Sequence, residues 1–269
     1  MSAIRLGTRA STLATTQSEM VARLLRSEGL DVDLTTITTH GDTSTASLAA
    51  MGGIGVFASA IRATLLKGEA DIAVHSFKDL PTGRPLGLAI GAVPARADPR
   101  DALVARDGLT LHDLPQEASV GTGSPRRAAQ LLAVRPDLTI VDIRGNVDTR
   151  LGRVKGLGHY AKGGGKEDLD AVVLAASGLA RLGHSGTVTE FLDPSVVLPA
   201  PAQGALAVEC RTADSRHGKL AKALARIDDR RTRLAATAER AVLSHLEAGC
   251  AAPIGALAQL KPVSGSSPQ

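Results

Sequence analysis

Two opposite charges follow an apolar run in the stretch DIAVHSFKDLPTG, residues 71–83. Neighbouring residues of a strand face opposite sides, so Lys78 and Asp79 are not an ion pair within a strand. Pro81 favours an extended Leu80 and ends regular strand pairing. We therefore predict that both charges lie in a turn facing a cleft, where a carboxylate among arginines suits stabilising a cation. An ordinary surface turn is the alternative.

The stretch SVGTGSPRRAAQLL, residues 119–132, predicts a strand, a glycine turn and a helix. Ser124 is placed to cap this helix, and Pro125 suits its first position. Arg126 and Arg127 then lie at the positive end of the helix dipole, where an anion would offset their charge. We predict an anion site; the alternative is a solvated arginine pair.

Other cations follow predicted strands in the same way. In DIRGNVDTRLG, residues 142–152, Arg144 and Arg150 flank a turn, and near the N-terminus Arg9 and Ser11 follow the first strand. Ser11 is also placed to cap the next helix. Guanidinium groups bind carboxylates and phosphates bidentately, so the pattern favours a ligand with several acid groups.

The two cysteines of the chain lie in different sequence contexts. Cys250 follows a predicted helix and Gly249, and the negative helix end disfavours a thiolate nucleophile. A thiol on this turn is either an attachment point or a plain, partly buried cysteine. Cys210, in an alternating strand pattern, is interpreted as core packing.

Short β-branched runs alternate with helical patterns along the chain, which predicts an α/β fold with its ligand at the carboxyl ends of the strands. Proline-rich stretches at 92–101 and 194–204 are interpreted as crossings between domains. Residues 100–195 then form an inserted domain. A helix is expected over 225–248, with Leu234, Ala238, Val242 and Leu246 on its apolar face.

The composition excludes several classes of protein. The chain has 269 residues, a net charge of +4, and only one Tyr, three Phe and no Trp. So few aromatic residues argue against single-stranded nucleic acid as the anionic partner. No stretch is apolar enough to span a membrane and the N-terminus lacks a secretory signal, so we expect a cytoplasmic protein, monomeric by default. No metal site is predicted.

Eight motifs in order resemble the porphobilinogen deaminase (hydroxymethylbilane synthase) family. They are RLGTRAS, THGD, LLKGEADIAVHSFKDLP, VGTGSPRRAAQL, IRGNVDTRLG, LAASGLARLG, PAPAQGALAVECR and AERAVLSHLEAGCAAPIGA, and they cover residues 4 to about 260. The resemblance implies two α/β domains of the type II periplasmic-binding-protein kind flanking a cleft, plus a small α/β C-terminal domain. The expected boundaries are 1–95 with 200–222, 100–195, and 225–269.

The resemblance also implies the chemistry: four porphobilinogen molecules are joined head to tail with loss of ammonia to give hydroxymethylbilane. The primer would be a dipyrromethane cofactor attached to Cys250, and Asp79 matches the catalytic carboxylate. The matching positions for cofactor and substrate contacts are Arg9, Ser11, Lys78, Ser124, Arg126, Arg127, Arg144, Arg150, Arg181 and Gln203.

This sequence departs from the family pattern at several positions. Ile54 and Ser59 stand where lysines are expected, and Ala202 stands where glycine is usual. The chain also stops soon after CAAPIGALAQL, so we expect a shortened C-terminal domain. Two alternatives remain: a cleft-type binding protein, and a degenerate paralogue that binds linear tetrapyrroles without catalysis.

Overall fold

The computed structural model describes residues 3–37, 56–83, 85–248 and 252–260. Helices and strands alternate along most of this chain. The strands are β1 Ile4–Thr8, β2 Val32–Thr36, β3 Ile72–Ser76, β4 Leu88–Ala92, β5 Asp101–Ala105, β6 Ser119–Gly121, β7 Thr139–Val141, β8 Ala171–Ala175, β9 Glu190–Phe191 and β10 Leu206–Arg211. The helices are α1 Thr12–Ser27, α2 Val56–Leu66, α3 Pro125–Val134, α4 Val147–Leu151, α5 Ala176–Arg181, α6 Gly218–Ile227 and α7 Arg230–His245.

The strands form two five-stranded sheets with equivalent order. Sheet 1 has the order β2-β1-β3-β10-β4, and sheet 2 has the order β7-β6-β8-β5-β9. In each sheet four strands run in the same direction, and the fifth, β10 or β5, is antiparallel to both of its neighbours. The predicted α/β fold is confirmed.

The antiparallel strands decide which residues meet at the ligand edge. Because β10 and β5 run against their neighbours, their first residues lie beside the last residues of β3 and β8. Leu206 is paired with Ser76, and Asp101 is paired with Ala175. The segments that enter these two strands, 93–100 and 197–205, therefore lie at the edge where the parallel strands end.

Helices cover both faces of each sheet. Helices α1 and α6 pack on one face of sheet 1, while α2 and α7 lie on the other. Sheet 2 is likewise packed between α3 on one face and α4 with α5 on the other. Strands β5 and β8 are almost entirely buried, as expected for central strands covered on both sides.

The helix expected over 225–248 is wrong in extent and in its buried face. The chain forms two helices, because Asp228 and Asp229 have extended conformations and Asp229 caps α7 by accepting a hydrogen bond from the Thr232 backbone N–H at 2.7 Å. The expected apolar stripe at Leu234, Ala238, Val242 and Leu246 is exposed. The buried face instead consists of Thr232, Ala235, Ala236, Glu239 and Leu243.

Polar contacts explain which face of α7 is buried. Glu239 on α7 accepts two hydrogen bonds from Arg96, at 2.6 and 3.0 Å, and Thr232 accepts one from the Arg96 backbone N–H. A buried carboxylate requires such partners, so they determine which side of the helix faces the protein. The described C-terminal residues after α7, 252–260, contain no helix or strand.

Candidate functional site

Lys78 and Asp79 lie in a turn at the end of β3, as the sequence predicts. Phe77, Lys78 and Asp79 form one short 3₁₀ turn, after which Leu80 is extended, with φ −77° and ψ 135°. Asp79 is exposed, and its carboxylate makes no hydrogen bond or ion pair with another described residue. Lys78 points toward Gln203, with 3.3 Å between Nζ and Oε1.

The charge on Lys78 is poorly solvated. Burial lowers the pKa of its ammonium group to about 8, although the Asp79 carboxylate acts in the opposite direction. Arg127 and Arg126 lower this pKa further, while Asp101 raises it. The lowered pKa therefore reflects mainly the lost hydration of the ammonium, which an incoming carboxylate would offset.

Gln203 connects the two sheets through its side-chain amide. Its Oε1 accepts from Lys78 of sheet 1, and its Nε2 donates to Asp101 Oδ1 of sheet 2 at 2.8 Å and to the Pro99 carbonyl at 2.8 Å. Gln203 is 1% exposed. One buried amide thus links the lysine of one sheet edge to the carboxylate of the other.

Arg126 and Arg127 are buried and bind an internal anion. Asp101 accepts from Arg126 Nη2 at 2.7 Å and from Arg127 Nη2 at 2.6 Å and Nε at 3.0 Å. Burial alone would raise the pKa of Asp101, but the positive charges of Arg127 and Arg126 lower it to about 2. The anion that offsets these cations at the start of α3 is Asp101, which the sequence argument did not identify.

Arg144 and Arg150 are less fully compensated. Arg144 is exposed and lies 3.3 Å from Asp142, while Arg150 Nε donates to the Gly145 carbonyl at 2.9 Å. Burial, together with the nearby positive charges of Arg127 and Arg144, lowers the pKa of Arg150. Excess positive potential therefore remains beside the arginine pair of α3.

Arg181 at the end of α5 is partly buried and has no carboxylate partner among the described residues. Its Nη2 donates to the Gly204 carbonyl at 2.7 Å, while its Nε is buried and has no hydrogen-bond partner in the described structure. Burial lowers the pKa of Arg181 to about 10. A buried guanidinium with an unused donor is suited to binding an acid group.

The remaining predicted contacts lie at helix starts. Ser11 caps α1 by accepting from the Ala14 backbone N–H at 3.4 Å, and Arg9 before it is partly exposed. Ser124 occupies the cap position of α3 without a capping hydrogen bond from its side chain. Helices α1 and α5 lie against each other, so the helix that follows Arg9 and Ser11 in sheet 1 contacts the helix that ends at Arg181 in sheet 2.

Two sequence predictions lie outside the described residues, Cys250 and the Ile54 position. Ser59 is described, and it is exposed on α2. Cys210 is fully buried on β10, and burial raises the pKa of its thiol to about 11, which agrees with a core role. Within the described ranges, no cluster of His, Cys, Asp and Glu could hold a metal ion, and no helix has the length and apolarity to cross a bilayer.

Sequence reasoning missed Asp101 and Glu239. Asp101 lies in a charged stretch that the sequence marks as an interdomain crossing, and only the antiparallel direction of β5 brings it to the ligand edge. The Glu239 carboxylate accepts hydrogen bonds from the backbone N–H groups of Ala202, at 2.6 Å, and Ala258, at 2.9 Å, in addition to its ion pair with Arg96. An isolated Glu on an amphipathic helix gives no signal of such a role.

Two family models match the sequence. The model described as "Porphobilinogen deaminase, dipyromethane cofactor binding domain" matches residues 4–219, and the model described as "Porphobilinogen deaminase, C-terminal domain" matches residues 233–265.

Curated relatives carry the same name. A porphobilinogen deaminase from Cutibacterium acnes is 97% identical over 269 residues, covering 100% of this chain and 80% of the relative. One from Micrococcus luteus is 57% identical, covering 97% of this chain and 74% of the relative. Among solved structures, a periplasmic substrate-binding protein from Coxiella burnetii is 15% identical with a TM-score of 0.48, covering 88% of this chain and 95% of its own.

Proposed function

Because the chain belongs to the porphobilinogen deaminase family of transferases, which act in tetrapyrrole biosynthesis, we propose that Asp79 is its catalytic carboxylate. The family reaction joins four porphobilinogen molecules head to tail. In each joining step the bond from the aminomethyl carbon to nitrogen breaks and ammonia leaves. A carbon–carbon bond then forms to the next pyrrole ring, which loses a proton.

The observation that supports this role is the exposed, unpaired carboxylate of Asp79 beside the Lys78 ammonium, as described above. Positive charge develops on the substrate's pyrrole ring as ammonia departs. A fixed carboxylate near that ring stabilises the charge more in the transition state than in the ground state, which lowers the barrier. The same carboxylate is able to accept the proton that the attacking pyrrole carbon loses.

We propose that the cationic side chains bind the acetate and propionate groups of porphobilinogen and of the growing chain. Arg150 and Arg181 have lowered pKa values mainly because their positive charges are desolvated, and the guanidinium hydrogen bonds that the structure shows for them go to main-chain carbonyls. Substrate carboxylates supply the missing negative charge. Arg9, Ser11, Lys78, Ser124, Arg144 and Gln203 are proposed as further contacts around the same edges.

The buried arginines suit the dipyrromethane cofactor of the family. Arg181 has a buried donor without a partner among the described residues, and Arg126 and Arg127 supply further positive charge on sheet 2 that a pyrrole carboxylate would find favourable. When bound, the cofactor supplies the pyrrole end to which the first porphobilinogen is joined. We propose Cys250 as the thioether attachment point.

The remaining proposals concern organisation. We propose domain 1 as residues 1–95 with 200–222, domain 2 as 100–195 and domain 3 as 225–269. The two sheets support the first two, since β5 to β9 form sheet 2 and the other strands form sheet 1. We further propose a cytoplasmic monomer that binds neither nucleic acid nor membranes.

Asp79→Asn tests the catalytic role. We expect turnover of porphobilinogen to fall by about 10² to 10⁴-fold, with an unchanged melting temperature, because an amide keeps the shape and loses the charge. Asp31→Asn is the matched control, since Asp31 is an exposed carboxylate just before β2, at the opposite end of the parallel strands of sheet 1. Normal turnover in Asp79→Asn would refute the proposed role.

Intact-protein mass spectrometry tests the attachment. We expect an adduct of two pyrrole units on the active chain and its loss in Cys250→Ser, with Cys210→Ser as the control that keeps it. An active chain without an adduct would overturn the assignment and favour another way of holding the primer.

A further inference from the structure

Arg240, on α7, holds the turn that carries Lys78 and Asp79. Its Nη1 donates to the carbonyls of Phe77 and Leu80, both at 2.8 Å, and its Nη2 donates to the Pro81 carbonyl at 2.7 Å. The three acceptors surround the Lys78–Asp79 pair on both sides in sequence. A single guanidinium thus binds the main chain immediately before and after the proposed catalytic residue.

The turn has few other ways to satisfy these carbonyls. Inside it, the Leu80 N–H reaches the Phe77 carbonyl at 3.4 Å, and Pro81 has no N–H to donate. Buried carbonyl groups without donors are costly, so this segment depends on donors from outside. Arg240 supplies them, and only an arginine side chain has a planar fork that reaches several acceptors at once.

An aromatic contact fixes the plane of this fork. The Arg240 guanidinium carbon lies 4.5 Å from the centroid of the Phe77 ring, a cation–π arrangement. Phe77 and Leu80 are buried in the apolar cluster under sheet 1, and their other side lines a cavity of about 850 Å³ between sheet 1 and α7. The apolar side chains thus anchor the turn in the core, while Arg240 binds the main chain on both sides of its two charged residues.

We infer that Arg240 is a positioning residue for the reaction, which keeps the Lys78–Asp79 turn in its productive conformation through the turn's main chain. The inference depends on the proposed function of Asp79, and it adds that α7 controls this group. A carboxylate displaced by about 1 Å costs on the order of 10²-fold in rate. Loss of the fork should therefore lower kcat more than it raises KM, since Lys78 is the one proposed carboxylate contact in this turn and the others lie outside it.

Arg233 gives a matched control on the same helix. It pairs with Asp228 at 2.7 Å and donates to the Ile90 and Gly91 carbonyls at 3.4 and 3.3 Å. It therefore also joins α7 to sheet 1 through an arginine fork, but at β4 and away from the turn. A general loss of α7 docking would affect both arginines alike.

The experiment compares Arg240→Lys with Arg233→Lys in the full chain carrying its cofactor. Each variant is assayed for kcat, KM, melting temperature and cofactor content by intact mass. For Arg240→Lys we expect kcat to fall about 10- to 100-fold while KM changes less than about threefold, because lysine keeps the charge and loses the fork. For Arg233→Lys we expect a similar change in melting temperature with kcat within about twofold of the parent.

Chemical rescue provides a second readout. In Arg240→Ala, added guanidinium ion should restore part of kcat, whereas added ammonium ion should not, since only the planar ion reproduces the fork. Equal kcat values in Arg240→Lys and Arg233→Lys, or no rescue, would overturn the inference. Normal turnover in Asp79→Asn would show that the proposed function itself is wrong. Lost turnover in Asp79→Asn together with a normal kcat in Arg240→Lys would refute only the positioning role of Arg240.

Discussion

The two sheets share a strand order and present different chemistry at the same edge. In sheet 2 the central antiparallel strand, β5, begins with Asp101, a buried carboxylate that binds Arg126 and Arg127. In sheet 1 the equivalent strand, β10, is preceded by Gln203, a neutral amide that accepts from Lys78. Equivalent places in the topology therefore carry an anion on one side and a neutral bridge on the other.

We propose that this difference separates the binding of substrate carboxylates from catalysis. An internal carboxylate orients the arginines of sheet 2 before any ligand arrives, and it reduces their mutual repulsion. Sheet 1 has no such carboxylate against Lys78 within hydrogen-bonding distance among the described residues, so Lys78 and the exposed Asp79 stay available. In this proposal the sheet that binds carboxylates is organised internally, while the sheet that carries Asp79 is left open to the substrate.

Removal of Asp101 should have the largest effect on this comparison. Asp101→Asn leaves two buried arginines without their anion, and we expect a loss of about 3 to 5 kcal/mol in the free energy of unfolding. The folded-state pKa of Asp101 is about 2, below the reference value of 3.8. Its contribution to stability is therefore present above about pH 4 and lost as the pH falls toward 2, and urea unfolding across this window should show a shallower slope in the variant.

Asp71 is the control for this experiment. It lies at the start of β3, at the opposite edge of sheet 1, and binds Arg5 and Arg211, which lower its pKa to about 2 despite a raising effect of burial. Asp71→Asn should reduce stability without changing KM for porphobilinogen, whereas Asp101→Asn should also raise KM. Equal KM values in the two variants would contradict the proposal that Asp101 organises the sheet that binds carboxylates.

The pH dependence of Lys78 gives an intermediate effect. Because burial lowers the pKa of its ammonium to about 8, the charge that binds a substrate carboxylate is lost above that pH. We expect KM to rise by up to about tenfold per pH unit beyond pH 8. Measured as a KM–pH profile, this rise should disappear in Lys78→Met and move to higher pH in Lys78→Arg.

Stability should change in the opposite direction over the same range. Between about pH 8 and the reference pKa of 10.5, Lys78 is less protonated in the folded protein than in the unfolded chain. The contribution of this residue to the free energy of unfolding therefore rises with pH. Chemical denaturation at each pH separates the two effects. A KM rise that follows unfolding, or that persists in Lys78→Met, would assign the titration to another group.

The smallest effect is expected at Ala202, in the crossing that links the two sheets. Its φ is +62°, in the left-handed region where glycine is favoured, yet its methyl group is fully buried. In Ala202→Gly the relief of about 1 kcal/mol of backbone strain and the loss of about 0.8 kcal/mol of methyl burial should nearly cancel. Urea unfolding should show a change within about 1 kcal/mol, and a loss above 2 kcal/mol would show that the methyl group has a further packing role.

Much of the candidate site follows from local sequence. Pro81 after an apolar run predicts the turn at Lys78 and Asp79, and Ser11 predicts the start of α1; the structure shows both. These features depend on φ restriction and on side chains that cap their own helix, so nearby residues are sufficient to predict them. Family motifs, which span the chain, add Gln203 and Cys250 to the hypothesis.

The sequence by itself thus determined the α/β alternation, the turn and the wealth of cations, because each depends on residues close together in the chain. Only the tertiary structure decided how those charges are partnered. Asp101 reaches Arg126 and Arg127 because β5 runs antiparallel, and Arg240 reaches the Lys78–Asp79 turn because Glu239 docks the polar face of α7. Electrostatic energy depends on distance and burial in space, and neither is encoded by local spacing.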